Sequence, residues 1–296
     1  MIVARTTFSA LLLVALTGVS CGAYADEPAT AGAPTANAIG TTSTTTTATA
    51  DVPATADTST TTASTTSPSK WKIAFGPGVI VSPAYPGSSK LKVYPFPALD
   101  ISYDDRFFSQ GPDVLGVNVV RDPNYHLGAA LSLDFQSRSE SDDPRLRGLG
   151  DVHWTPKLKL FGDYTWWAFT GSVAMYQDIG GNRQGKTVVS DLYASLPLDN
   201  WLFSVGPGFT WADAEYTRTF FGVSQQQSAA SKLPTFDTGS GIRDIHMNFY
   251  VSHDFSKHWT SSISIVAGRL QHYAADSPIT SRRFELNSLA SVNYRY

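Results

Sequence analysis

The chain has 296 residues, with 22 Lys and Arg against 25 Asp and Glu, a formal charge of −3. Setting aside Arg5 and the acids Asp26, Glu27, Asp51 and Asp57 leaves 21 residues of each sign in 70–296. That balance provides no basic field for nucleic acid. The absence of any long apolar run in this region excludes helical membrane spans.

Residues 1–25 carry one basic residue, Arg5, an apolar run Phe8–Leu16 and the small-residue exit Ala23-Tyr24-Ala25, the pattern of a cleaved export signal. The run is too short to cross a bilayer. Cys21 lacks the large aliphatic residue three places earlier that lipid attachment expects. Cleavage after Ala25 removes this one cysteine, so disulfides contribute nothing to the mature chain. Residues 26–69 are rich in Thr, Ala, Ser and Pro and cannot bury enough apolar surface to offset ordering, which predicts a disordered linker.

From residue 70 onward, short runs alternate apolar and polar side chains with period two. Trp71, Ile73, Phe75, Val79 and Val81 share one face, and Leu91, Val93, Leu99, Ile101 and Tyr103 the next; Leu115, Val117 and Val119 follow. Tyr125, Leu127, Ala129, Leu131, Leu133 and Phe135 oppose His126, Gly128, Ala130, Ser132 and Asp134, a small polar face of the kind a lumen requires. Val152, Trp154, Leu158 and Leu160 oppose Asp151, His153, Lys157 and Lys159. Further faces follow at Trp167–Met175, Val188–Leu198, Trp201–Trp211, Ile245–Phe255, Trp259–Ile265 and Phe284–Tyr296. Trp71, Trp154, Trp201, Trp211, Trp259, Tyr294 and Tyr296 fall at or near strand ends, where aromatic rings mark the headgroup level.

Eleven strands are legible in this way. Single-chain bacterial barrels have even strand counts with short turns on the side of the termini. The turns Asp104–Arg106, Asp199–Asn200 and Ser256–His258 enclose five strands between Arg106 and Asp199, an odd number. One strand is therefore hidden there, and the expected fold is an all-β transmembrane antiparallel barrel of about 12 strands over 70–296, with 10 as the alternative. The same rule puts Pro83–Lys90, Ala214–Gly241 and His272–Ser281 outside the cell, and marks Tyr216, Phe220, Phe221 and Gly222 in the longest loop as a partner-binding candidate.

Two chemical motifs need weighing. Gly180-Gly181-Asn182-Arg183-Gln184-Gly185-Lys186-Thr187 matches the phosphate-loop pattern, yet Thr187-Val188-Val189 opens a β-branched run where the mechanism needs a helix. A glycine-rich turn is the simpler reading, and no cofactor is expected. His126, His153 and His246 fall on lumen faces near Asp134, Asp151 and Asp244, with Ser132 available. Those residue types could build a serine hydrolase, but polar lumen walls are what any water-filled barrel supplies. No histidine pair has metal-ligand spacing with acidic partners.

Gly76-Pro77-Gly78, Ser82-Pro83-Ala84-Tyr85-Pro86-Gly87-Ser88, Pro95-Phe96-Pro97, Arg106-Phe107-Phe108, Leu146-Arg147-Gly148-Leu149-Gly150-Asp151, Tyr216 with Phe220-Phe221-Gly222-Val223-Ser224, Ser228-Ala229-Ala230-Ser231 and Ala274-Ala275-Asp276-Ser277-Pro278-Ile279 occur in order along 70–296. Together they resemble the MipA/OmpV family of MltA-interacting outer-membrane proteins. The resemblance implies a Gram-negative outer-membrane barrel without catalytic residues. It also implies a non-enzymatic scaffold joining a lytic transglycosylase to a penicillin-binding protein in peptidoglycan remodelling. A diffusion channel or a surface adhesin is the alternative, and outer-membrane lipid is the common partner. Lys232 stands where the family more commonly has glycine.

Overall fold

The computed structural model describes residues 69–111 and 113–296. The expected export signal and nearly all of the 26–69 linker lie outside the described residues.

Twelve antiparallel strands close on themselves. They are β1 Trp71–Pro83, β2 Leu91–Tyr103, β3 Phe107–Gln110, β4 Asp113–Arg121, β5 Tyr125–Asp134, β6 Thr155–Trp166, β7 Phe169–Asp178, β8 Lys186–Leu198, β9 Trp201–Ala212, β10 Gly241–Asp254, β11 Trp259–Leu270 and β12 Phe284–Arg295. Each pairs with its sequence neighbour, and β1 closes the barrel on β12. Closure leaves no terminal edge strand, the condition for a sheet to cross hydrocarbon, although β2 from Leu91 to Leu99 pairs with β1 alone because β3 is short.

The hidden strand is β3, which lies in the interval where parity demanded one. It is four residues long, too short for alternation to register, and its pairing with β4 shifts between Phe108 and Gln110. Val152 and Trp154, by contrast, lie ahead of β6 in a loop, where Val152 bridges Arg138 through the backbone.

Alternation then sorts the wall. Phe75, Leu99, Leu127, Leu158, Val173, Leu192, Val205, Phe249 and Ile263 point outward and are exposed, while Ala130, Phe161, Tyr176, Tyr193, Tyr250 and Leu289 point inward and are buried. An exposed apolar belt around a closed barrel is a lipid-facing surface. The protein is a transmembrane barrel of the outer-membrane type.

Both ends of the described chain and the connections 104–106, 122–124, 167–168, 199–200 and 255–258 share one rim. Asp104 and Asp105 take φ of 53° and 51° there, and Asp199 takes 50°, conformations that Asp tolerates better than most residues. Trp71 and Tyr103, Trp201 and Phe203, and Trp259 and Tyr294 pack ring to ring at this rim, with centroids 4.7, 5.7 and 5.2 Å apart. The long loops occupy the opposite rim.

Two strands repeat a device. Gly76-Pro77-Gly78 in β1 and Gly206-Pro207-Gly208 in β9 each stand where the ladder to one neighbour skips two pairs, β12 and β8 respectively. Proline brings no N–H to the ladder. A Cβ on Gly76 or Gly206 would lie 1.8 Å from the Val292 carbonyl oxygen or 1.7 Å from that of Leu192, so only glycine lets the strands close up there.

Candidate functional site: a plugged mouth over a charged lumen

The long loops fold into a lid. Helix α1, Ala214–Phe221, starts at Asp213, whose carboxylate accepts from the Tyr216 N–H at 2.8 Å. Helix α2, Gln225–Ser231, carries a capping box between Ser224 and Gln227. It ends on Lys232 at φ 67°, the left-handed geometry that explains why glycine suits this position. Helix α3 spans His272–Asp276.

Two apolar cores hold these pieces. One joins Tyr216, Phe220 and Phe221 to Val152, Ala212, Leu270 and Ala274. The other joins Ala84 and Tyr85 to Leu146, Leu149, Val223 and Ile279. Tyr216, Phe220, Phe221 and Gly222 are therefore buried, not displayed to a partner. An apolar run in a long polar loop reads as a contact surface in sequence, but here it is the material from which the loop builds its own core.

Polar bonds lock the lid. Ser277 Oγ donates to the Phe221 carbonyl at 2.6 Å, Thr217 Oγ1 to that of Gly239 at 2.8 Å, and Gln227 Nε2 to that of Leu149 at 2.6 Å. Arg138 Nη1 donates to the Phe220 carbonyl at 2.9 Å. Burial pulls the Arg138 pKa down to about 10, opposed by Tyr85, Asp151 and Glu140. Burial likewise raises the Tyr216 pKa, against the pull of Arg243.

Tyr216 ties the lid to the lumen. Its hydroxyl donates to Gln136 Oε1 at 2.6 Å and accepts from Arg243 Nη1 at 2.7 Å, and Lys157 Nζ and the Arg243 guanidinium each lie 5.6 Å from its ring centre. Arg243 and Asp244 both face inward because a bulge shifts the β9–β10 register between Ile242 and Asp244. That lets Arg243 Nε donate to Asp244 Oδ2 at 2.6 Å.

His246 continues the row. Its Nδ1 lies 2.7 Å from Asp244 Oδ1 and its Nε2 2.8 Å from Asp191 Oδ1, which also accepts from Asn248 Nδ2 at 2.8 Å. A ring facing a carboxylate at both nitrogens satisfies both bonds only as the imidazolium. It then has no lone pair for a metal or for a substrate proton. Gly208 makes room for this contact, since a Cβ there would stand 2.0 Å from Asp191 Oδ1. Two further buried pairs, Lys157–Asp134 and Lys159–Asp113, line the opposite wall.

The other sequence candidates separate. Asp134 binds Lys157, while His126 lies eight residues back along β5, roughly 26 Å away at strand rise, opposite Asp163. Asp151 and His153 are exposed in the loop before β6, not on a lumen face. The Glu140 N–H holds the Asp151 carboxyl below its usual range. Ser132 pairs with Lys157 across the β5–β6 ladder, so these candidates do not come together as a Ser/His/acid set. In the phosphate-loop match, Lys186 opens strand β8, and the amides of Gly180 and Gln184 donate at 2.8 Å to the two oxygens of Asp178. A carboxylate of the chain itself occupies the place of a phosphate.

Arg243, Asp191 and Gln136 were not legible as site residues. Asp191 had a signal, its inward parity on β8, but Arg243 turns inward only through the bulge.

Among solved structures, the chain is similar to the Pseudomonas putida toluene transporter TodX (TM-score 0.36, 9% identity, covering 77% of this chain and 90% of that one). It is also similar to the CymD monoaromatic hydrocarbon channel (0.33, 10%, 77% and 88%) and to the Vibrio cholerae outer-membrane protein OmpT (0.30, 7%, 78% and 99%). No curated protein matches it. The family described as MltA-interacting protein MipA matches residues 75–296, the barrel and its lid together, and the chain belongs to that family.

Proposed function

We propose that this protein is a closed, non-conducting, non-enzymatic barrel that serves as a membrane-held docking platform for peptidoglycan-remodelling enzymes. One observation carries the reading: the mouth is filled by a lid whose Tyr216 hydroxyl is bonded into a neutralised row of lumen charges. A solute pathway needs a hydrated lumen. Here the inward residues Asp134, Lys157, Tyr193, Asn248 and Tyr250 are each at most 2% exposed.

The turn rim carries both ends of the described chain and faces the periplasm, as short turns do in outer-membrane barrels. The family is described as MltA-interacting, which supports a lytic transglycosylase as the partner. A penicillin-binding protein would be the second partner. The composition of residues 26–69, rich in Thr, Ala, Ser and Pro, suits a tether for the same partners.

Two measurements test the reading. Affinity capture with the mature protein from solubilised envelopes is expected to retain a lytic transglycosylase. Planar bilayers containing the purified barrel are expected to hold baseline current. Discrete conductance steps from wild-type protein would sink the docking reading in favour of a channel.

A further inference from the structure

The outer wall carries a groove of about 570 Å³ across β8 to β12, where Asp191, Gly208, His246 and Gly268 stand in cross-strand register and Phe284 closes the β12 side. Its outward lining is apolar, with Leu192, Phe209, Ile245, Met247 and Phe284 standing around the small side chains of Ser190 and Ala267. The volume is that of an ordinary ligand site, and the ladder break at Pro207 runs along it.

At its loop end stand two guanidiniums. Arg269 is the outward cross-strand partner of Phe284, and the Arg282 guanidinium lies 5.5 Å from the centre of the same ring. Both are exposed, and among the described residues neither has a carboxylate partner; the neighbouring Asp276 is taken by Arg283 at 2.9 Å. Their depth is fixed by β11, whose outward row runs from Trp259 to Arg269. Ten steps of about 3.3 Å at a tilt of roughly 40° rise about 25 Å, the height of a barrel's apolar band. With the Trp259 ring at one headgroup level, Arg269 stands at the other.

We propose that this groove is a specific lipid site: acyl chains lie in the Leu192–Phe284 depression while Arg269 and Arg282 clamp a phosphate of an outer-leaflet phosphorylated glycolipid of the lipid A type. Charge complementarity selects the headgroup, because guanidinium pairs bind phosphate bidentately and unpaired cations at that depth require an anion. The loop-rim position selects the leaflet, given the orientation proposed above.

The test uses full-length mature protein extracted in mild detergent and examined by native mass spectrometry after exposure to bisphosphorylated lipid A, dephosphorylated lipid A or phosphatidylglycerol. Wild type and the turn-rim control Lys257→Gln are expected to retain one bisphosphorylated molecule. In the double variant Arg269→Gln/Arg282→Gln, occupancy should fall about tenfold, the loss expected for charge-assisted bonds. Ala267→Trp, which fills the floor, should lower it similarly, and heat-modifiable gel mobility reports that each variant is folded. Unchanged occupancy in the folded double variant overturns the proposal. So does equal retention of dephosphorylated lipid A, which would leave only apolar contact. Preference for phosphatidylglycerol would place the groove in the inner leaflet and overturn the leaflet assignment. If Ala267→Trp fails to fold, the double variant decides alone.

Discussion

The lumen charges are strongest in their consequences one residue at a time. Lys157 and Asp134 form an ion pair in which each side chain is at most 2% exposed, and the ammonium also faces the Tyr216 ring. Removing one partner of such a pair leaves the other buried and uncompensated, at a cost of about 3–5 kcal/mol. Lys157→Met is therefore expected to lower the temperature at which the barrel loses its compact gel mobility, and Asp134→Asn added to it should restore most of the loss. A double variant as unstable as the single one would show that the pair's charges are not what matters. The alternation in the sequence placed Lys157 and Asp134 on the inward face. It carried nothing about which carboxylate each lysine would meet, because partners come from strands brought together by closure.

Lid and wall respond to different changes. Phe220 is 1% exposed, and its ring centre lies 4.7 Å from that of Tyr216. Phe220→Ala removes a buried aromatic, worth about 3–5 kcal/mol, yet every barrel ladder is independent of it. The expected outcome is faster proteolysis of the lid loops with unchanged heat-modifiable mobility. Loss of the mobility shift as well would mean that the lid is needed to hold the strands. On the wall, Leu131 faces lipid about midway along β5. Leu131→Arg should cost roughly 2–4 kcal/mol, and Trp167→Arg, at the turn rim and 84% exposed, roughly 0–1 kcal/mol. Equal assembly yields for the two would contradict the assigned depths. Ser132, the inward neighbour of Leu131, is 1% exposed. Its surroundings leave little room for a larger side chain.

For the whole molecule, closure starts at β1 and is completed on β12, both within the described residues. Deleting residues 26–69 should therefore leave folding and heat resistance intact while weakening capture of the transglycosylase. Failure of the shortened chain to fold would show that the segment belongs to the barrel. Cleavage of that segment by protease added to intact cells would reverse the proposed orientation.

The sequence by itself determined the class of fold, the facing of nearly every long strand, and through parity the existence of β3, which four residues could not announce by pattern. These follow from short-range rules: side chains alternate every two residues, and an edge cannot be left open in lipid. Tertiary structure alone decided that the mouth is plugged, that Tyr216, Phe220 and Phe221 are lid core, and that Asp151 and His153 lie in a loop. It also decided that Arg243, Asp244, His246 and Asp191 form one row. The reason is physical: a bulge, a lid and a ring of cross-strand neighbours depend on which distant segments meet, and that is set by barrel closure and packing.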